Sequence, residues 1–310
     1  MGVFEGAFVG SWAVAAGVVT RWELRHDFDR VAHDVYVRRG YRLDAVGRAK
    51  AAAHWTKGAG VLVGFSAAAM SGSKWIGAEL PAEIAVPTYR RPPEWIRTRQ
   101  ARIVEHEQCV VDGFPVTTPK RTAFDLARRL STRSAVPVLD ALCRATKLDP
   151  DAVIALAAEH RGERGCAQVR RVMPLVDPGA ESPPESLTRL LIVQSGLPAP
   201  STQIVVRDSG GEFLARLDMG WRRWRVAVEY DGAHHWTDPS QRTKDIDRSA
   251  ILAEHGWRII RVSANLLYRR PHIILDRIHA ALTAGGARLD SRSPRGGGGI
   301  GREQPAATAW

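Results

Sequence analysis

The stretch EFLARLDMGWRRWRVAVEYDGAHHW, residues 212–236, determines how the second half of the chain folds. Apolar residues alternate with polar ones from 213 to 218 and again from 226 to 231, as they do on strands whose side chains switch faces. The pattern predicts two short strands joined by a tight connection. If the strands pair as a hairpin, Asp218 lies beside Glu229, and Glu229 shares a face with Asp231.

Acidic side chains at the end of this hairpin need an explanation, because strand interiors are normally poor in acids. Magnesium takes carboxylate oxygens and keeps several of its waters. The sequence therefore indicates a divalent-cation site formed by Asp218, Glu229 and Asp231. The alternative is that these acids face water at a strand end, since Asp231-Gly232 is also a turn signal.

The composition is that of a globular protein with a basic excess. A chain of 310 residues predicts about two domains, and a net charge of +11 indicates a polyanionic partner, for which DNA is the candidate. The alternative is a merely basic protein from an arginine-rich proteome.

Three cysteines without a CxxC pair fit a reducing cytoplasm. No apolar run of roughly 18 residues is present, so we expect no membrane span.

Residues 1–48 have the order of a winged helix-turn-helix. An apolar helix is followed by a second helix, which Thr20 and Glu23 open with the T-x-x-E spacing of a capping box. A strand pattern follows at 34–40. Such a fold lays its second helix in the major groove of DNA, so Arg21 and Arg25 are candidate DNA contacts, with Arg30 predicted on the same helix. The alternative is a small helical module that only packs.

Three further segments complete the predicted organisation. Residues 49–176 read as an α/β region, with strands at 61–66, 83–86 and 103–105 and helices at 134–145 and 150–160. Residues 181–284 run helix, strands, helix, strand, helix, which predicts a mixed sheet flanked by helices. Residues 285–310 lack apolar periodicity and are predicted to be disordered. The fold class is therefore α/β (α+β).

The chain resembles two known families. Residues 181–283 resemble the restriction-endonuclease-like fold, in the branch that contains the very-short-patch (Vsr) mismatch repair endonuclease and a widespread bacterial domain of unknown function. Residues 1–175 resemble the AbiEi-type antitoxin arrangement. The first resemblance is carried by Glu185, Asp218, VEYDGAHH (228–235), Lys244-Asp245 with Arg248, and HGWRIIRV (255–262), and the second by GFSAAAMSG (64–72) and FPVTTPKRTAFDLA (114–127).

The first resemblance implies hydrolysis of a DNA phosphodiester with magnesium, or with manganese. Asp218 and Glu229 would hold the cation, or Asp218 with a backbone carbonyl near Tyr230. The resemblance makes His234 or His235 the general base, because imidazole titrates near neutral pH.

The same resemblance gives roles to residues outside the hairpin. Glu185 would orient a water, although a capping box alone also explains it. Lys244 and Arg248 on the next helix would hold phosphate. Nucleases of the PD-(D/E)xK type carry lysine where this chain has Asp231. The Vsr branch also lacks that lysine and uses histidine, so the chain fits the branch.

Two functions follow from these patterns. The first is a cytoplasmic bacterial protein whose C-terminal domain is a metal-dependent DNA endonuclease and whose N-terminal region binds DNA or a partner. The alternative is a non-catalytic, AbiEi-like antitoxin or transcriptional regulator that has a degenerate nuclease fold and a cognate toxin as partner.

Overall fold

The computed structural model describes residues 6–88, 91–232 and 239–289, with the backbone alone described for residues 239–246. The chain divides into two compact units, the first running to Val176 and the second starting at Asp177. The described residues contain twelve α-helices and three β-sheets, which confirms the predicted α/β class. In this part of the chain, no helix is long and apolar enough to cross a membrane.

The first unit begins with a small helical module backed by a three-stranded sheet of order β1-β3-β2. Its elements are β1 (Phe8–Val9), α1 (Gly10–Ala15), α2 (Arg21–His26), β2 (Phe28–Ala32) and β3 (Val35–Arg38). The predicted capping box is present, because Thr20 accepts from the backbone N–H of Glu23 and the Glu23 carboxylate accepts from that of Thr20. Arg30 was predicted on this helix, but it lies in β2 because the helix ends at His26.

The rest of the first unit is a five-stranded sheet of order β6-β5-β4-β8-β7 with helices around it. The strands are β4 (Val61–Leu62), β5 (Ala82–Val86), β6 (Ile96–Gln100), β7 (Gln108–Val111) and β8 (Phe114–Thr117). The helices are α3 (Ala45–Trp55), α4 (Gly64–Met70), α5 (Pro119–Arg129), α6 (Thr132–Thr146), α7 (Pro150–Glu159) and α8 (Cys166–Val172).

Two predicted strands of this region are wrong. The strand expected at 61–66 ends at Leu62, because the buried Glu83 carboxylate accepts from the backbone N–H of Phe65 at 2.9 Å and fixes the start of α4. Only glycine fits at position 64, where φ is +55° and a Cβ would lie 1.9 Å from that carboxylate. The strand expected at 103–105 is absent, and the partner of β5 on that side is β6.

The second unit contains one mixed sheet, as predicted, and its strand order is β12-β11-β10-β9. Antiparallel pairing joins β10 to both β9 and β11, whereas β11 and β12 are parallel. The elements are α9 (Pro183–Gln194), β9 (Ser201–Arg207), β10 (Phe213–Trp221), β11 (Val226–Asp231), α10 (Pro239–Glu254), β12 (Arg258–Ser263), α11 (Ala264–Arg269) and α12 (Pro271–Ala284).

Two hydrophobic clusters lie on the two faces of this sheet. One packs Val226 and Val228 of β11 against α9 and α12, and the other packs Ala227 against Leu252 of α10. Side chains alternate along β11, so Glu229 lies on the same face as Ala227 and points towards α10. The sheet therefore carries its acids on the face that α10 covers.

The segment predicted to be disordered from residue 285 onwards begins with residues that pack. Ala287 is buried in the cluster formed with α9 and α12, and Leu289 packs against it. Gly286 has a φ of +90°, and the backbone N–H of Ala287 then bonds to the carbonyl of Leu282 at 2.9 Å. The prediction of disorder, which was based on composition, missed this short C-terminal turn. Residues 290–310 of the predicted tail lie outside the described residues.

Candidate active site

Asp218 occupies the predicted place beside β11. Met219 pairs with Val228 in the antiparallel register, so the next position outward brings Asp218 opposite Glu229. The Asp218 carboxylate accepts a hydrogen bond from the backbone N–H of Tyr230 at 2.9 Å. A side chain thus continues the contact between the strands where the paired backbone ends, and this fixes the position of the carboxylate.

An irregularity in β9 and β10 accompanies Asp218. Ile204 pairs with Leu217 and Thr202 with Met219, which leaves Gln203 opposite Asp218 with a φ of +50°. A non-glycine residue in the left-handed region is strained, and such residues concentrate at functional sites. The hydrophobic side chains of β10 also switch between the two clusters here. Leu217 packs in the cluster with α10, and Met219 packs in the cluster with α9 and α12. The sequence carries no signal for Gln203, which looks like an ordinary polar strand residue.

The surroundings of Asp218 oppose its ionisation. Burial, followed by the negative charges of Glu185 and Glu229, raises the pKa of Asp218 to about 7. The hydrogen bond from Tyr230 and the charge of Arg248 act in the opposite direction but do not cancel these effects. A carboxyl group with such a pKa is held in a place where added positive charge is favourable.

Glu185 is buried and has two roles in this geometry. Its carboxylate accepts from the backbone N–H of Glu181 at 2.8 Å and from the Ser182 hydroxyl at 2.7 Å, so it holds the start of α9 through the residue before the N-cap instead of through the N-cap N–H that a capping box uses. The same carboxylate is close enough to Asp218 to raise that residue's pKa. These bonds hold the side chain of Glu185 in one orientation near Asp218. We call the group formed by Asp218, Glu185 and Glu229 the acidic centre.

Glu229 is paired with Arg248 from α10. One guanidinium N–H group donates to Oε1 of Glu229 at 2.5 Å and another donates to Oε2 at 3.3 Å. Arg248 also donates to the backbone carbonyl of Arg216 at 3.0 Å. From the resemblance, Arg248 was predicted to hold a phosphate and Glu229 to hold the cation. In the structure these two side chains contact each other.

Asp231 departs from the predicted convergence of three acids on the hairpin. It lies two residues beyond Glu229 on β11, and its carboxylate is 3.8 Å from the guanidinium of Arg261 on β12. Among the described residues, no group of three or more histidine, cysteine, aspartate and glutamate side chains is arranged to hold a metal ion. Besides Glu229, the acid that raises the pKa of Asp218 is Glu185, which is distant in sequence, and not Asp231.

The remaining predicted site residues fall into two sets. His234 and His235 lie outside the described residues, as does the side chain of Lys244. Arg21 and Arg25 belong to the first unit, where both side chains are exposed on α2.

The acidic centre suits one class of metal ion. Asp218 and Glu229 offer carboxylate oxygens only, and Asp218 lies where added positive charge is favourable. Magnesium and manganese accept such ligands, and magnesium is often held by one or two carboxylates with its waters retained. Zinc sites favour histidine and cysteine, whereas Asp218, Glu185 and Glu229 all offer carboxylate oxygens. The residues present therefore fit a hard divalent cation.

Comparison with protein families gives two matches along the chain. Residues 204–282 match the family model REase_MTES_1575, which describes a restriction-endonuclease-like domain, and residues 51–175 match the AbiEi antitoxin C-terminal domain. These matches confirm the two-part resemblance predicted from the sequence. The first of them includes Asp218, Glu229, Asp231 and Arg248, whereas Glu185 lies before it.

Two curated relatives come from Mycobacterium tuberculosis: "Uncharacterized protein MT2308" of strain CDC 1551 / Oshkosh and "Uncharacterized protein Rv2248" of strain ATCC 25618 / H37Rv. Each is 34% identical to this chain over 168 residues, which is 54% of this chain and 62% of the relative. The match thus spans less than two thirds of the relatives' own length. No solved structure is significantly similar to this chain.

Proposed function

We propose that the second unit hydrolyses phosphodiester bonds in DNA with the help of magnesium or manganese. The observation that carries the proposal is the environment of Asp218, a partly buried carboxyl group that the backbone N–H of Tyr230 holds in place and whose pKa is raised to about 7 by burial and by Glu185 and Glu229. Like charges packed together destabilise a fold, and carboxyl groups perturbed in this way cluster at functional sites. Restriction-endonuclease-like domains generally depend on divalent metals, and residues 204–282 match such a domain.

The residues of the centre would divide the work as follows. Asp218 and Glu229 would hold the cation, which when bound lowers the pKa of a water and neutralises charge that develops on the phosphate. Glu185, fixed by its capping bonds, orients the attacking water. His234 and His235 come three and four residues after the end of β11 in sequence, and one of them would take the proton from that water.

DNA as the substrate follows from charge and from the first unit. The chain carries a net charge of +11, which favours a polyanion. In the first unit, α1 and α2 are followed by the hairpin of β2 and β3, and α2 exposes Arg21 and Arg25. Such a module can place α2 against the DNA backbone or in the major groove.

A second candidate function is a regulator of the antitoxin class that binds DNA and a cognate toxin without cleaving DNA. The match of residues 51–175 to the AbiEi antitoxin C-terminal domain favours it. So does the pairing of Glu229 with Arg248, which engages one of the two candidate cation ligands. Strand cleavage separates the two candidates, because only the nuclease breaks the DNA backbone.

The test is a cleavage assay with the full chain on supercoiled plasmid, mismatched duplex and single-stranded DNA. We expect cleavage of at least one form with magnesium or manganese, and no cleavage when the cation is chelated. Asp218→Asn should abolish it, whereas Asp276→Asn, an exposed acid on α12, should leave it unchanged. Absence of cleavage under every condition, or equal cleavage by Asp218→Asn, would contradict the proposal and favour the regulator.

A further inference from the structure

The ion pair between Arg248 and Glu229 is the contact that the nuclease proposal does not explain. The Arg248 guanidinium spans both oxygens of Glu229, at 2.5 and 3.3 Å. The Glu229 side chain is only 12% exposed, whereas that of Arg248 is 32% exposed. The acid is therefore fixed within the fold, and the arginine reaches it from a more open position on α10.

This contact places a positive charge where the proposed cation would bind. A guanidinium that donates to both oxygens satisfies the carboxylate, and it also repels a second cation at short range. Arg248 also donates to the backbone carbonyl of Arg216, two residues before Asp218, at 3.0 Å, so its charge lies close to both candidate ligands. With Arg248 in this position, a cation at the acidic centre is disfavoured.

Guanidinium groups bind carboxylate and phosphate with the same two-pronged geometry. We propose that Arg248 is a positioning residue that neutralises Glu229 until a phosphodiester of DNA draws the guanidinium away, so that DNA binding opens Glu229 to the cation. The inference rests on the proposed function and adds that cation binding and DNA binding at this centre are coupled. The ligand that moves Arg248 is a phosphate of the DNA backbone near Asp218.

The neighbouring arginines do not share this arrangement. Arg261 lies 3.8 Å from Asp231 and also donates to the Ser249 hydroxyl at 2.9 Å. Arg216 pairs with Glu181 at 2.9 Å, and its side chain is 51% exposed. Arg261 pairs with Asp231 and Arg248 with Glu229, both of which are candidate cation ligands, whereas the ion pair of Arg216 with Glu181 includes none and provides the control.

The coupling is measured by titrating magnesium into the full chain in a calorimeter. Replacing Arg248 with a neutral residue, as Arg248→Gln or Arg248→Met, should tighten magnesium binding by about tenfold, the effect of one nearby charge on a carboxylate. Arg216→Gln removes the same charge from an ion pair with Glu181 and should leave the affinity within about twofold, because exposed charges are screened. Circular dichroism checks that each variant is folded.

The second set of titrations is done in the presence of a DNA duplex. If magnesium allows the protein to cut the duplex, calcium is titrated in its place. DNA should tighten cation binding to the unmodified chain, and the cation should tighten DNA binding by the same factor, since coupling between two ligands is reciprocal. The factor should shrink towards one in both neutral variants. If they do not fold, Arg248→Lys serves in their place, because a single ammonium group cannot span both oxygens and should reduce the factor.

Three results would overturn the proposal. Weaker cation binding in the neutral variants would show that Arg248 orients Glu229 for the cation, and unchanged binding would show that Arg248 does not oppose the cation. An unchanged coupling factor in those variants would show that DNA does not act through Arg248. Absence of cation binding in every variant, with and without DNA, would remove the proposed function as well, and this outcome is distinct from the first two.

Discussion

Asp218 shows how one position can combine a structural contact with an electrostatic cost. Its carboxylate completes the pairing of β10 with β11 by accepting from the backbone N–H of Tyr230. Burial and two neighbouring acids nevertheless raise its pKa to about 7. A side chain selected for stability alone would avoid that cost, as asparagine would, because it keeps the hydrogen-bond acceptor without the charge.

The raised pKa predicts how stability depends on pH in the absence of divalent cations. The folded state holds the Asp218 proton more tightly than the unfolded chain, so the contribution is fully present below the unfolded pKa near 3.8 and is lost as the pH rises towards 7. Asp218→Asn should flatten this part of the pH profile and be the more stable protein at pH 8. Urea unfolding at a series of pH values measures it, and parallel profiles for the two proteins would contradict it.

A buried ion network in the first unit makes a second residue-scale prediction. Arg121 donates to Glu107 at 2.5 Å and to Asp125 at 2.9 Å, and all three side chains are buried. Arg121→Met would leave Asp125 with Arg128 and Glu107 with His160, but without the arginine that they share, and should cost about 3 kcal/mol. Arg133→Met, at an exposed position on α6, should cost less than about 0.5 kcal/mol. Denaturant unfolding compares them, and similar midpoints would show that the network adds no stability.

At the scale of elements, the chain after α12 belongs to the fold of the second unit. Ala287 is buried, and Leu289 packs on the same cluster. A chain ending at residue 289 should therefore melt at a higher temperature than one ending at Ala284, by several degrees if the burial of these two side chains contributes about 1 kcal/mol. Thermal scans of the two truncated chains test this. Equal melting temperatures would show that residues 285–289 do not contribute to the core.

The second helix of the N-terminal module makes a prediction about DNA binding. Arg21 and Arg25 are exposed on α2, so replacing both with glutamine should weaken binding to all sequences alike. The slope of log affinity against log salt should fall by about 0.9 for each phosphate that the protein no longer neutralises. Arg133→Gln with Lys147→Gln removes the same charge elsewhere in the first unit and serves as control. An unchanged slope in the α2 variant would exclude this helix from the DNA interface.

Local sequence patterns predicted the elements that they encode directly. The T-x-x-E spacing gave the start of α2. Alternation along residues 213–231 gave β10 and β11, and with them the meeting of Asp218 and Glu229. The predicted strand at 61–66 failed because Glu83, about twenty residues later, caps α4 through its side chain. Local patterns carry no information on such distant contacts.

For the whole molecule, the acidic centre depends on segments far apart in the sequence. Glu185 comes from α9 and Arg248 from α10, and only the folded sheet places them beside Asp218 and Glu229. The resemblance selected all four residues from the sequence, but it could not show that Arg248 binds Glu229. Nor could it show that Asp231 lies against Arg261. Contacts between these distant segments determine the charges around Asp218. Sequence periodicity describes only local structure and cannot predict such contacts.

The central claim is that the acids around Asp218 form a cation site. The most direct measurement is the melting temperature of the full chain at pH 8, with and without magnesium or manganese. A cation that binds only the folded state stabilises it by mass action, so we expect the unmodified protein to melt at a higher temperature with either ion. Asp218→Asn should be more stable than the unmodified protein without the ion and should show no shift with it. An unchanged melting temperature in the unmodified protein, or the same shift in Asp218→Asn, would contradict the claim.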